Sequence, residues 1–261
     1  MKAAKTLTAQ TICAALAVCA ALTTSVSAAE SHWYCKNNDS HTQPPIPSEF
    51  AYIEQYGGYY IDRDHGDANT EKVIYLTFDT GYENGNVTKV LDTLKKHNAE
   101  GTFFVLENLI RRDTDLVKRM FEEGHTVANH TMKHRNMAKI TDRAVFEEEL
   151  GGLEKLCKEL TGYEMAKLYR PPEGSFTEEN MKIVSDMGYK TVFWSYAYAD
   201  WDNDKQPAPD VALNKLLSHV HNGEILLLHP TSATNAKILD EFLTRLEKQG
   251  YRFGSLEELC F

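Results

Sequence analysis

The chain has 261 residues, 42% of them hydrophobic and 25% charged, and a formal net charge of −10. That is enough apolar material for one large folded domain, which excludes a disordered chain. The acidic balance, with no basic run anywhere in the sequence, excludes nucleic acid as a partner.

Lys2 and Lys5 precede an apolar stretch from Ile12 to Leu22, and Val26, Ser27 and Ala28 supply a small-residue cleavage signature. Residues 1–28 therefore read as a secretory signal. The apolar stretch is short for a membrane span and polar Thr23, Thr24 and Ser25 follow it, which argues against a lasting anchor. Val18 before Cys19 is also a poor fit to a lipoprotein site. Cleavage takes away two lysines and no acid, so the net charge of −10 becomes −12. Cys35, Cys157 and Cys260 remain, too few and too scattered for a disulfide framework or a zinc knuckle. Either Cys35 bridges Cys260, if the chain ends meet, or all three stay thiols.

From Ser31 to Asn69 the sequence is aromatic and polar, with "QPPIP" at 43–47 and "YGGYY" at 56–60 and no clean periodicity. It reads as an arm, residues 29–70, extended over a domain that spans 71–261. There short apolar runs alternate with amphipathic stretches. The spacing predicts strands over "KVIYLTFD" (72–79), "GTFFVL" (101–106), "HTVANH" (125–130), "KLYRPP" (167–172), "KTVFWS" (190–195), "EILLLHP" (224–230) and "YRFGSL" (251–256). It predicts helices over Asn86–His97 and near 113–123, 142–161, 177–187, 210–221 and 235–249. Asp113, Thr141 and Thr177 are N-cap candidates.

About seven strand–helix repeats without hairpin signals predict a parallel sheet covered by helices, α/β in class. Asp79, His130, Arg170, Asp200 and His229 each sit at or just past the C-terminal end of a predicted strand. A barrel brings such ends to one mouth, whereas an open sheet spreads them along an edge, so a barrel is expected.

"HTMKH" places His130 and His134 four apart, able to share a divalent metal, although such pairs also lie on solvated faces. A metal held by two histidines keeps positions for water and can act as a Lewis acid. Asp79, followed two residues on by Gly81, suits the role of base, its other reading being a helix cap or turn former. His229 in "LLLHP" is either a core histidine or a general acid oriented by a carboxylate, and "YADWDND" offers Asp200, Asp202 and Asp204. Arg170 in "RPPEG" can hold Asp79 ionised or make a surface salt bridge.

Taken in order, "TFDTG", "HTMKH", "RPPEG", "DW" at 200–201 and "LLLHP" resemble the five motifs of the polysaccharide deacetylases, the carbohydrate esterases with a NodB homology domain. The resemblance runs over about residues 72–256. Within that family the chain looks most like the muramic δ-lactam de-N-acetylases of spore formers, from "QPP" and "YGGYY" through "YLTFDTGYENG" to "VFWSYAYADWD". The resemblance implies a distorted (β/α) barrel, with Asp79 as base, His229 as acid, Arg170 as partner of Asp79 and Asp200 as partner of His229. It implies His130 and His134 as ligands of a divalent metal, zinc by expectation. Tyr82, Pro171, Trp201 and Leu227 are expected to line the substrate groove, and Trp194, Tyr196 and Tyr198 to join Trp201 around it or, for Trp194, to pack in the core. The implied substrate is N-acetylmuramic acid in a peptidoglycan strand, acted on by an exported monomer.

Two positions depart from the pattern. The family's first motif usually carries a second, metal-binding aspartate, and the δ-lactam group an asparagine; here it is Thr80, whose hydroxyl is a weak ligand, direct or through water. Glu173 stands where that group tends to have a basic residue. Other acetylated polymers, such as chitin oligomers or xylan, are therefore the rival substrates, and a glycan-binding protein without turnover is the rival function.

Overall fold

The computed structural model describes residues 29–261, so the candidate signal segment lies outside the described residues. A two-residue strand β1 (Ser31–His32) and a 3₁₀ helix (Ser48–Tyr56) lead into β2 (Gly58–Tyr59) and the long β3 (Lys72–Thr80). Helix α1 (Val87–Lys96), β4 (Gly101–Val105), α2 (Glu107–Arg112), α3 (Thr114–Glu122) and β5 (Thr126–Asn129) follow. The next helical stretch is α4 (Arg143–Phe146), a π-helical turn (Glu147–Gly151) and α5 (Gly152–Thr161), then β6 (Leu168–Tyr169) and β7 (Ser175–Phe176). The chain ends with α6 (Glu178–Asp186), β8 (Lys190–Val192), β9 (Tyr196–Ala197), α7 (Pro209–His219), β10 (Glu224–Leu228), α8 (Ala233–Lys248), β11 (Tyr251–Phe253) and α9 (Leu256–Cys260).

The main sheet runs β2-β8-β6-β5-β4-β3-β10-β9, with β11 also paired to β3, and every ladder in it is parallel. It curls into a distorted barrel because one segment serves both ends: β8 pairs with β6, and β9, four residues on, pairs with β10. An antiparallel bridge from Ile61 to Glu224 closes the same seam. Side chains alternate across a strand, so Ile74, Leu76 and Phe78 of β3 join the helices Val87–Lys96 and Ala233–Lys248 in the outer core. Val73 and Tyr75 point into the barrel with Phe104, Ala128, Leu168, Val192 and Ile225. That interior row continues through Thr77 to Asp79 at the mouth, which is how the apolar run delivers a carboxylate to the strand end.

Three expectations change. The segment predicted as an arm does more than lie across the domain: Gly58–Tyr59 adds a strand to β8, and Trp33, Phe50, Ile53, Tyr60 and Ile61 share a core with Phe176, Met181 and Phe193. "YRFGSL" stops being a strand at Phe253, because the Ser255 hydroxyl caps α9 by accepting the Glu257 N–H at 3.1 Å. Of the N-cap candidates Thr177 accepts the Asn180 N–H at 3.1 Å, while Asp142 takes the place expected of Thr141 and the Asp113 side chain makes no cap bond. Cys35, Cys157 and Cys260 are free thiols. Among the described residues no helix is long and apolar enough to cross a membrane.

Trp33 fastens the arm: its ring stacks on Phe193 at 4.5 Å and its Nε1–H donates to the Trp194 carbonyl at 2.8 Å. Gly174 makes room for this, since a Cβ there would stand 2.8 Å from Trp194, and its φ of +64° suits glycine. Trp33→Ala is expected to lower unfolding free energy by about 3–5 kcal/mol in a urea titration that stays a single transition, since arm and barrel share one core.

Candidate active site

Arg170 sits beyond β6 and is fully buried. Its Nη1 donates to Asp79 Oδ1 at 2.9 Å, Nη2 to Thr77 Oγ1 at 2.9 Å and the Phe193 carbonyl at 3.1 Å, and Nε to the Val192 carbonyl at 3.0 Å. The guanidinium also lies 4.2 Å over the Phe104 ring. The reading of Arg170 as a surface salt bridge is excluded by this burial. Burial opposes charge on Asp79, but the positive fields of Arg170, His130 and His229 win and hold its carboxyl below the usual carboxylate range.

His130 follows β5 and is buried. Its Nδ1–H donates to the Arg170 carbonyl at 2.9 Å, which fixes the tautomer and leaves the Nε2 lone pair facing Asp79 Oδ2 at 3.6 Å. Burial, only partly offset by Asp79, brings its pKa down to about 4, so the ring is neutral near pH 7. His134 is exposed, its ring centre 5.1 Å from that of His130. The pair is an imidazole donor set of the kind a divalent ion takes. No anionic third donor completes it: among the described residues no group of three or more His, Cys, Asp or Glu is spaced to hold a metal. Thr80 is buried, and its hydroxyl donates to the Tyr82 carbonyl at 3.3 Å.

Across the mouth, Asp200 Oδ1 accepts from His229 Nδ1 at 2.7 Å, and Oδ2 accepts from the His229 backbone N–H at 2.8 Å. Burial disfavours charge on the imidazole, yet the hydrogen bond and field of Asp200 outweigh it and raise the His229 pKa above the ordinary histidine value. Asn235, in the first turn of α8, steadies Asp200 with an Nδ2–H bond of 2.6 Å to Oδ2 and accepts from the Tyr198 hydroxyl. Asn235 and Thr77 escape motif reading; the pointer to Asn235 was its place three residues after Ser232, whose hydroxyl caps that helix.

The groove residues divide. Trp201 is 63% exposed and Tyr82 43%, so both can meet a ligand, and Asn203 donates to the Tyr82 hydroxyl at 2.6 Å across the mouth. Pro171 and Leu227 are buried in the wall. Tyr196 and Tyr198 are core residues rather than groove walls: the Tyr196 ring stacks on His219 at 4.7 Å, and both belong to the outer core. Trp194 is partly buried, packed between the arm and Arg170. Glu173 is exposed, with a φ of +60°.

The family model for polysaccharide deacetylase matches residues 66–192. The peptidoglycan-N-acetylmuramic acid deacetylase PdaA of Bacillus subtilis is 39% identical over 232 residues, 88% of this chain and 86% of that protein. The chain belongs to the polysaccharide deacetylase family. A Geobacillus stearothermophilus protein of 30.6 kDa, described as uncharacterized, is 41% identical over 87% of this chain and 84% of its own length. The solved structure of Bacillus subtilis PdaA, described as a family 4 carbohydrate esterase, superposes with a TM-score of 0.82 at 37% identity, over 88% of this chain and 96% of that one. The expected NodB-type barrel and family are thus borne out, and the chain is a hydrolase of a family whose deacetylases are metal-dependent.

Because Asp200 does most to raise the His229 pKa, Asp200→Asn is expected to lower the His229 titration midpoint, leaving only the field of Asp79 against burial and Arg170. An NMR pH titration of the ring carbons reads it, and an unchanged midpoint counts against the pairing.

Proposed function

We propose that this deacetylase removes the N-acetyl group from N-acetylmuramic acid in peptidoglycan, after export directed by residues 1–28. The carrying observation is the pairing of a buried, arginine-held Asp79 with an aspartate-held His229 at one mouth, in a chain 39% identical to a protein named for that reaction. In this reading Asp79, ionised, takes a proton from the attacking water as its oxygen bonds the acetamide carbon. His229, kept protonated by Asp200, gives its Nε2 proton to the sugar nitrogen as the C–N bond breaks, releasing acetate and a free amine. Arg170 keeps Asp79 charged and aimed, and Trp201 and Tyr82 offer aromatic faces to the sugar ring.

His130 and His134 would hold a divalent ion, zinc in this reading, with the Thr80 hydroxyl or water beside them. When bound, such an ion polarises the carbonyl and acidifies the water. The amine produced lies on the same sugar as the lactyl carboxyl group, and their condensation gives the muramic δ-lactam of spore cortex, where we place this step.

Purified mature chain is expected to release acetate from peptide-stripped peptidoglycan, and a chelator to abolish release until zinc or manganese is restored. Asp79→Asn should cut kcat by about 10²–10⁴ while glycan binding survives. Activity should need Asp79 deprotonated and His229 protonated. It should therefore appear as pH rises through a value below the usual carboxylate range and fade as pH rises through a value above about 6.5. Release from chitin oligomers but not from muramic glycan would overturn the substrate; binding without release would overturn the reaction.

A further inference from the structure

The loop that carries His130 and His134 is strained. Thr131 has a φ of +73° and His134 a φ of +53°, and a β-branched residue in the left-handed region is a marked outlier. Such backbone persists only where its surroundings hold it. Inside the loop, Asn129 Oδ1 accepts the Thr131 N–H and Thr131 Oγ1 accepts the His134 N–H, both at 2.9 Å.

Beyond the bonds of His130 to the Val105 and Arg170 carbonyls and of the Lys133 ammonium to Glu107, the hold on the loop comes from one place, twenty residues along. Over Glu147–Gly151 the helix widens to a π turn, with the Gly152 N–H reaching back to the Glu147 carbonyl, and turns of this kind recur at functional sites. The Glu149 carbonyl accepts the Met132 N–H at 3.0 Å, and the Leu150 carbonyl accepts the Asn129 Nδ2–H at 2.9 Å. The Glu149 carboxylate accepts the Lys133 N–H at 3.0 Å through Oε2, while Oε1 stands 3.5 Å from Arg135 Nη1. Glu149 is only 3% exposed, a buried carboxylate for which the proposed reaction has no use. Every one of its partners lies between the two histidines or next to them.

We propose that Glu149 is a positioning residue: its carboxylate, with the π turn beneath it, holds the His130–His134 loop in the one shape that sets the imidazoles side by side for an ion. The inference rests on reading those histidines as the metal pair. Thr80 gives it weight. With no carboxylate in the donor set, affinity depends on two neutral rings being held in place beforehand, and groups that orient ligands are commonly worth about 10–100-fold in metal affinity.

The test is competition for zinc between the intact mature chain and a chromogenic chelator, alongside hydrogen exchange of the Met132 and Lys133 amides without metal. Glu149→Ala is expected to weaken zinc binding about 10–100-fold and to speed exchange at both amides. Glu149→Gln keeps a carbonyl oxygen for the Lys133 N–H and should recover most of the affinity. Equal affinity in wild type and Glu149→Ala, or a loss that Glu149→Gln does not recover, overturns the assignment. If the wild-type chain takes up no zinc, the metal reading falls instead. The exchange data then judge the hold on the loop by themselves, with unchanged protection in Glu149→Ala overturning it.

Discussion

The site depends on one buried ion pair. Arg170 is inaccessible to water, and a guanidinium in that position is tolerable only with its donors satisfied and its charge opposed. Asp79 opposes it; Thr77, Val192 and Phe193 take the remaining bonds; Phe104 lies against its face. Because those partners sit on β3, β4 and the β8 segment, the pair also fixes how these strands lie around the mouth. Its main chain extends the hold, since the Arg170 N–H bonds the Asn129 carbonyl and the Arg170 carbonyl sets the His130 tautomer. A buried pair of this kind is weak evidence for stability and stronger evidence for geometry: swapping both members for apolar residues can leave a protein stable, but here it would remove the carboxylate from the mouth and the bonds that tie Thr77 to the β8 segment.

The two aspartates at the mouth show how placement divides roles between identical side chains. Asp79 faces a permanent cation and stays a bare carboxylate. Asp200 faces a histidine, takes a side-chain and a backbone hydrogen bond from it, and so raises the proton affinity of the ring. One pair lowers a pKa and the other raises one, which separates base from acid within a single opening. Asn235 extends the second pair into the helix Ala233–Lys248 and is itself held by the Tyr198 hydroxyl, so the acid side is braced from the outer core just as the base side is braced from the interior.

Much of this was legible in the sequence, for a physical reason. A parallel strand buried on both faces writes itself as an apolar run, and "KVIYLTFD" and "EILLLHP" announce both their strands and the polar residues at their ends. Short pieces left no such mark. Gly58–Tyr59 and Tyr196–Ala197 are two-residue strands fixed by neighbours far along the chain, and the aromatic residues around them look alike whether they face a groove or a core. Tyr196 and Tyr198 were misplaced for that reason: their hydroxyls find partners in Lys215 and Asn235, which no local pattern reveals. Ser255 looked like the continuation of a strand because a serine carries a cap only once the chain has turned.

Thr80 shows why one substitution need not disable such a mouth. A second carboxylate beside Asp79 would attract a cation, but it would also repel the negative charge on Asp79 and push that group's pKa upward. With threonine there, the charged or chargeable groups that bear most on Asp79 are Arg170, His130 and His229, and all of them favour its ionised form. The exchange is therefore between two tasks of the same opening: donor strength toward an ion falls, while the base is freed from a like-charged neighbour. A loop that holds two imidazoles rigidly, and a base kept ionised by Arg170 and the histidines around it, are the features a site needs if its first motif is to work with one acid where two are usual.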